Sequence, residues 1–135
     1  MNVLVVEPGY APYEKEINGL QEMQEVVGGL IQAIYPFQEP VAVVCNDDGL
    51  FLGLPFNRSL DGGYGGVCGT FFICGRGEEN FCSLTPEQIQ TYKERFFRAE
   101  LLIGGNSNEP ITLKVTPRIK NGPSKQREPP EPFVR

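Results

Sequence analysis

The stretch Asn2-Val3-Leu4-Val5-Val6-Glu7, broken at once by Pro8-Gly9, decides the fold class. A valine-rich run that ends at a proline–glycine pair is typical of a buried β-strand. Tyr13 to Ile17 then alternates apolar and charged residues, as a half-exposed strand does. The N-terminal part of the chain therefore predicts a β-hairpin whose first strand is buried.

Two further apolar runs, 41–45 (VAVVC) and 70–74 (TFFIC), predict buried strands. Asn46-Asp47-Asp48-Gly49 follows the first run and predicts a tight turn, because Asp-Gly supplies the positive φ that hairpins need. Leu50 to Leu54 is then expected to return as the partner strand. Ile111 to Val115 predicts one last edge strand.

Two amphipathic segments predict helices. Leu20 to Tyr35 carries apolar residues at steps of three and four, and Asn18 is its expected N-cap. Gly28-Gly29 inside this segment indicates a kink, or a close approach by another backbone or a ligand. Thr85-Pro86-Glu87-Gln88 has the pattern of a capping box and begins a second helix, which should end before Gly104.

Together these elements predict an α+β fold, in which a small, mainly antiparallel sheet packs against two helices. We expect residues 1–103 to form the globular domain. Residues 104–135 are expected to add the edge strand and then an extended or disordered tail rich in Pro, Lys and Arg.

The residue types that common enzymes and metal sites use are scarce. The 135 residues include no histidine, which is the commonest general base and metal ligand. The four cysteines form no CxxC pair and are predicted to be reduced and mainly buried. We therefore predict a non-enzymatic protein with no catalytic residues, metal or cofactor. A zinc held by all four cysteines and a cysteine- or lysine-based enzyme are the alternatives.

Charge is distributed unevenly along the chain. Residues 1–103 carry 6 Lys/Arg and 14 Asp/Glu, while the remainder is basic. An acidic body argues against direct binding of nucleic acid or an anionic membrane, and it suits a basic protein partner. Ordinary solubility charge is the alternative. No apolar run approaches the ~20 residues of a membrane span, and the N-terminus lacks the basic start of a signal peptide, so the predicted location is the cytoplasm.

The acids Asp47 and Asp48 of the predicted turn, with Glu78 and Glu79 of a second exposed turn, are the candidate partner-binding residues. Together they would form one acidic rim facing a basic surface. The same carboxylates would otherwise simply be solvated.

Asn57 and Arg58 are the first candidates for binding a small ligand. They come where the chain is predicted to leave the sheet, and their amide and guanidinium groups suit a carboxylate or phosphate. In the structural alternative, Arg58 pairs with a nearby acid and Asn57 closes a turn.

Three further residues complete the candidate ligand site. Gly28 and Gly29 would permit a close approach, and Tyr64 lies in the glycine-rich segment 61–66, which would act as a lid. This segment matches neither a P-loop nor a dinucleotide-binding turn, so a flexible connection is the alternative.

The order of these motifs resembles a family of small proteins of unknown function from phages, prophages and conjugative elements of bacteria. The resemblance covers residues 1–97 and rests on five segments: Glu7-Pro8-Gly9, Val27-Gly28-Gly29, Val43 to Gly49, Gly53 to Arg58, and Gly69 to Ile73.

The resemblance implies a mobile-element setting in a bacterial host cell and no established activity. Because small acidic phage proteins often inhibit host defence, the leading hypothesis is an anti-CRISPR-like protein that binds a host effector. The second hypothesis is a module that sequesters a nucleotide signal. The oligomeric state is left open.

Overall fold

The computed structural model describes residues 1–60 and 63–120. In chain order the elements are β1 Asn2–Val6, β2 Tyr13–Glu16, α1 Gly19–Val27, β3 Ile31–Ile34, β4 Val41–Asn46, β5 Phe56–Leu60, β6 Gly65–Cys68, β7 Phe71–Arg76, β8 Phe81–Cys82, α2 Pro86–Arg95, β9 Ala99–Gly105 and β10 Pro110–Val115. The predicted α+β class, with two helices and mainly antiparallel strands, is confirmed. The predicted tail beyond residue 120 lies outside the described residues.

The central sheet has the strand order β2-β1-β7-β4-β3, and the short β8 pairs with the end of β7. Every pair of strands in it is antiparallel. The hairpin β1–β2 is the one that the opening sequence predicts. Strands β1, β4 and β7 lie inside the sheet and are buried on both faces, which explains why they are continuous apolar runs.

Each face of the central sheet is covered by a different helix. One face packs against α2 and the hairpin β5–β6, through Leu4, Val6, Val41, Val43, Phe71 and Ile73. The opposite face packs against α1, through Val3, Val5, Ala42, Val44, Phe72 and Cys74. The alternation of side chains along β1, β4 and β7 thus builds two hydrophobic cores from the same three strands.

The predicted helix 20–35 is wrong in its second half. Helix α1 ends at Val27, where Gly28 takes the left-handed conformation (φ 81°) and its N–H bonds to the Gln24 carbonyl. A glycine in this conformation is a common helix end. The chain then continues as β3, whose residues Ile31 and Ile34 had extended the apparent helical stripe.

The predicted partner strand Leu50–Leu54 is also wrong. The chain after β4 forms a compact turn in which the Leu52 N–H bonds to the Asp48 carbonyl at 2.8 Å. Strand β4 pairs instead with β3 and β7.

Strands that the sequence did not predict lie on both sides of α2. Strand β5 begins at Phe56, where the chain was expected to leave the sheet, and it pairs with β6, which takes in part of the glycine-rich segment. Strand β9 begins at Ala99, inside the expected helical region, and pairs with the predicted edge strand, observed as β10. The hairpin β9–β10 spans residues 103 and 104, where the globular domain was expected to end.

The capping box at the start of α2 is confirmed. The Gln88 N–H donates to Thr85 Oγ1 at 3.1 Å, and the Thr85 N–H donates to Gln88 Oε1 at 2.9 Å. At the start of α1, by contrast, the Asn18 side chain makes no capping bond, and its Oδ1 accepts from the N-terminal ammonium instead.

We expect Thr85→Ala to lower the free energy of unfolding by about 1 kcal/mol, because it leaves an N–H at the helix start without its acceptor. Urea unfolding followed by circular dichroism would measure this. Asn18→Ala is the matched control and should cost less, since no cap is lost there. Equal effects of the two substitutions would contradict the prediction.

Candidate functional site

Arg58 is the largest fully buried side chain in the described residues. Its guanidinium donates from Nη2 to the carbonyls of Tyr10 (2.7 Å) and Phe96 (2.9 Å), from Nη1 to Asn57 Oδ1 (2.8 Å), and from Nε to Phe96 again (3.3 Å). Phe96 is the C-cap of α2, so the cation lies at the negative end of that helix.

Burial lowers the pKa of Arg58 to about 10, against a smaller rise caused by the charge of Glu100. The guanidinium therefore stays protonated at neutral pH.

A β-bulge explains how Asn57 and Arg58 are both buried although they are consecutive. The register of β5 against β6 shifts between Phe56 and Arg58, so the usual alternation of faces is interrupted. Asn57 Nδ2 donates to the carbonyls of Val6 and Gly69, each at 2.9 Å. These bonds tie the hairpin to the central sheet.

The geometry thus gives Asn57 and Arg58 a structural role. The structural alternative expected an acid as the partner of Arg58, and the structure shows carbonyl oxygens instead. Ligand binding by these two residues stays a prediction.

The other candidate ligand residues lie elsewhere. Gly28 ends α1, and a Cβ on Gly29 would lie 2.9 Å from Asn46 Nδ2, so the close approach there is by the protein's own side chain. Tyr64 is 43% exposed, and its hydroxyl donates to the Tyr35 carbonyl at 3.3 Å. Tyr64 lines an open cavity of about 270 Å³ together with Asp47, and neither Asn57 nor Arg58 lines it. The structure therefore does not gather the predicted ligand residues into one site.

The four predicted partner-binding acids do not form one rim. Asp47 and Asp48 follow the end of β4, whereas Glu78 and Glu79 follow the end of β7, which runs antiparallel to β4. The two pairs are exposed at opposite ends of the sheet, about 20 Å apart at the rise of an extended strand. Each pair is a separate candidate.

An apolar tip lies beside Asp47 and Asp48. We use this name for Leu50, Phe51 and Leu52, whose side chains are 64%, 90% and 58% exposed. Sequence reasoning missed it because these residues were assigned to the partner strand of a hairpin. The missed signal was a run of three large apolar residues between Asp-Asp-Gly and Gly53. In the structure, Gly53 has a positive φ and ends the turn.

The turn that carries the apolar tip is closed by its own hydrogen bonds and packs against β6. The Leu54 N–H bonds to the Gly49 carbonyl at 3.0 Å, and the Asp48 N–H bonds to Asn46 Oδ1 at 2.7 Å. Gly49 is packed so closely that a Cβ there would lie 2.6 Å from the Cys68 carbonyl oxygen. The base of the tip therefore packs against the end of β6.

All four cysteines are free, and Cys45 and Cys74 are buried as predicted. Burial raises the pKa of Cys45 to about 11 and that of Cys74 to about 12, so neither thiol is ionised at neutral pH. Within residues 1–60 and 63–120 there is no cluster of three or more His, Cys, Asp or Glu residues suited to a metal ion.

No helix among the described residues is both long enough and apolar enough to cross a membrane.

What the fold and these surfaces define is an α+β domain with an ordered apolar tip next to two carboxylates. The chain belongs to the family described as "Domain of unknown function (DUF3846)", which matches residues 1–97. This match confirms the coarser prediction of a family of unknown function with that extent. No curated protein and no solved structure matches the chain.

Proposed function

We propose that this protein is a non-enzymatic phage or mobile-element protein that inhibits a bacterial defence system, as anti-CRISPR proteins do, by binding an effector protein in the host cytoplasm. One observation carries the binding part of the proposal: Phe51 is 90% exposed on a turn that the fold holds in place. The mobile-element setting rests on the sequence resemblance, and inhibition follows from that setting.

The apolar tip has the chemistry of a protein-binding anchor. Exposed aliphatic residues are common when isolated, but two that directly flank an exposed aromatic residue mark a contact surface. Aromatic anchors that enter a partner's pocket contribute most of the energy of many interfaces. Because hydrogen bonds already close the turn, binding needs to order little additional backbone, which favours affinity.

The carboxylates beside the tip supply the electrostatic part of the surface. Asp47 and Asp48 are exposed, and they belong to a body in which acids outnumber bases by 14 to 6 over residues 1–103. A partner pocket rimmed by Lys or Arg, such as a groove that normally holds nucleic acid, would be complementary to this arrangement. Charges at such a rim mainly raise the rate of association.

We expect Phe51→Ser to weaken effector binding by about 30-fold or more, as loss of a central aromatic anchor does. The effector would be isolated on immobilised protein from phage-infected host lysate, purified, and titrated against each variant by calorimetry and in an inhibition assay. Phe97→Ser is the matched control, since Phe97 is a 48% exposed aromatic outside the tip. Wild-type affinity in Phe51→Ser would refute the assignment of the tip.

The two acidic pairs can be separated in the same assay. Asp47→Lys combined with Asp48→Lys should slow association, whereas Glu78→Lys combined with Glu79→Lys should have less effect, because the second pair lies at the far end of the sheet. The reverse order would move the contact surface to the turn after β7.

A further inference from the structure

The open cavity of about 270 Å³ adjoins the apolar tip. It is bounded by β3, the end of β4, β6 and the turn of β9–β10. Leu50, the first residue of the tip, lines it together with Asp47. The cavity is smaller than the roughly 300–1,000 Å³ of pockets for drug-sized ligands, so it suits a group about the size of one side chain.

Hydrogen bonds join the elements that form the walls of this cavity. The Gly66 N–H on β6 donates to the Ser107 carbonyl in the turn of β9–β10 at 2.6 Å. The side chains of Ser107 and Cys68 also meet, with Oγ and Sγ 3.6 Å apart. The Tyr64 hydroxyl donates to the Tyr35 carbonyl at 3.3 Å. The shape of the cavity is therefore set by contacts within the fold.

Asp47 supplies the only charge among the described residues that line the cavity. Its carboxylate is exposed, and within residues 1–60 and 63–120 it has no hydrogen-bond or ion-pair partner. Burial and, to a smaller degree, the charge of Asp47 raise the pKa of Cys45 on the inner wall to about 11. A phosphate or carboxylate ligand would meet a like charge here, whereas a cation would meet its opposite.

The neutral lining residues suit the rest of such a cation. Tyr64 supplies an aromatic ring, which attracts ammonium and guanidinium groups. The side chains of Gln32, Ser107 and Asn108 add oxygen atoms that can accept hydrogen bonds from its N–H groups. Leu50 offers apolar surface for the methylene stem that carries the charge. The lining thus matches the chemistry of a Lys or Arg side chain.

We propose that this cavity binds an ammonium or guanidinium group carried on an alkyl chain, with the charge beside Asp47 and against the Tyr64 ring. Lys and Arg side chains of a protein and free alkylamines both carry such a group. The effector's side chain is the favoured source, because an effector that receives Phe51 brings its surface next to Asp47. That choice of source rests on the proposed function, whereas the binding of the cation does not.

NMR titration of the full chain with butylguanidinium tests the cavity without any effector. The amide signals of Asp47, Gly66 and Asn108, which line the cavity, should shift and saturate with a Kd on the order of 1–10 mM, as suits so small a ligand. Butylurea is the neutral analogue and should bind at least about 10-fold more weakly, since hydrogen bonds to charged groups are the stronger ones. AMP and inorganic phosphate should cause no saturable shift at these amides.

Matched variants assign the charge that binds the cation. Asp47→Asn keeps the shape of the lining and should weaken butylguanidinium binding by about 10-fold or more. Glu109→Gln is the control, because Glu109 is an exposed acid next to Asn108 that does not line the cavity. Its substitution should change the Kd by less than about two-fold, as expected for a screened surface charge. Tyr64→Leu should weaken binding by about 2–5-fold through loss of the ring.

Butylurea or AMP that binds at these amides as tightly as butylguanidinium would overturn the proposal. Equal losses in Asp47→Asn and Glu109→Gln would overturn it too, because the effect would then be that of the general surface charge.

The isolated effector then identifies the source of the cation. Asp47→Asn should weaken effector binding clearly more than Asp48→Asn, since Asp48 is exposed beside the tip but does not line the cavity. Excess butylguanidinium should compete with the effector. Equal effects of the two variants, with no competition, would overturn the effector as the source. If no effector binds through Phe51, the titration with butylguanidinium still decides the cavity, so failure of this proposal and failure of the proposed function are distinguishable.

Discussion

Arg58→Ala is expected to lower the free energy of unfolding by about 3–5 kcal/mol, because a buried acceptor left without its donor costs about 1–3 kcal/mol and the lost side chain adds the cost of a cavity. The substitution would leave the carbonyls of Tyr10 and Phe96 and the Oδ1 of Asn57 without their donor in the interior. It would also open a cavity where a fully buried side chain had been. Domains of this size are stable by only about 5–15 kcal/mol, so the loss is large.

Thermal and urea unfolding of a short series would check this prediction. Arg58→Lys keeps a charge but loses the planar fork, so it should lie between the wild type and Arg58→Ala. Arg76→Ala is the control: Arg76 is an exposed cation 4.7 Å above the Tyr35 ring, and its loss should cost about 1 kcal/mol or less. If Arg58→Ala were as stable as Arg76→Ala, the buried network would not hold the hairpin β5–β6 in place.

This result bears on the hypothesis of a nucleotide-binding module. Loss of a nucleotide-induced thermal shift in Arg58→Ala would not identify a site, because the same substitution is expected to destabilise the fold. The sharper experiment is a nucleotide panel on the wild type, with Tyr64→Ala as the variant, since Tyr64 is exposed beside the open cavity.

The fold class could be predicted because the local and tertiary signals agree in the central sheet. Strands β1, β4 and β7 need apolar residues on both faces. The sequence supplies these as continuous, mainly apolar runs at 2–6, 41–46 and 71–75. The error at α1 came because the apolar residues of β3 continue the helical spacing. Ile31 and Ile34 are three residues apart, as on one face of a helix, but in β3 they lie on opposite faces of the sheet and pack against different cores.

The candidate site was less predictable because burial, which decides the role of a polar residue, is set by the tertiary structure. Asn57 and Arg58 look like surface residues in the sequence, and a one-residue bulge turns both of them inward. Leu50 and Phe51 look like a strand, and the turn directs them outward. Whether Asp47 and Glu78 lie close together depends on which strands pair. The expected pairing of β4 with a strand at 50–54 was wrong, so their separation could not be predicted.

Gly65→Ala is the second substitution expected to have a large effect, because Gly65 combines two constraints. Its φ is 73°, a conformation that costs a residue with a Cβ roughly 1–2 kcal/mol. A Cβ there would also lie 2.9 Å from the Cα of Asn108 and closer still to the Ser107 carbonyl oxygen, both of which are backbone atoms. Backbone must therefore move, which typically adds about 1–3 kcal/mol.

Gly63→Ala separates these two costs. Gly63 has a similar φ of 81°, but a Cβ there meets no atom of the described residues within 4 Å. It should therefore show the conformational cost alone, and the excess of Gly65→Ala over it measures the contact between β6 and the turn of β9–β10. We also expect faster amide exchange at Gly66 in Gly65→Ala, because the 2.6 Å bond from its N–H to Ser107 would be displaced. Equal stability of the two variants, with Gly66 still protected, would show that the turn of β9–β10 accommodates the added methyl group without cost, which would contradict a tight contact between this turn and β6.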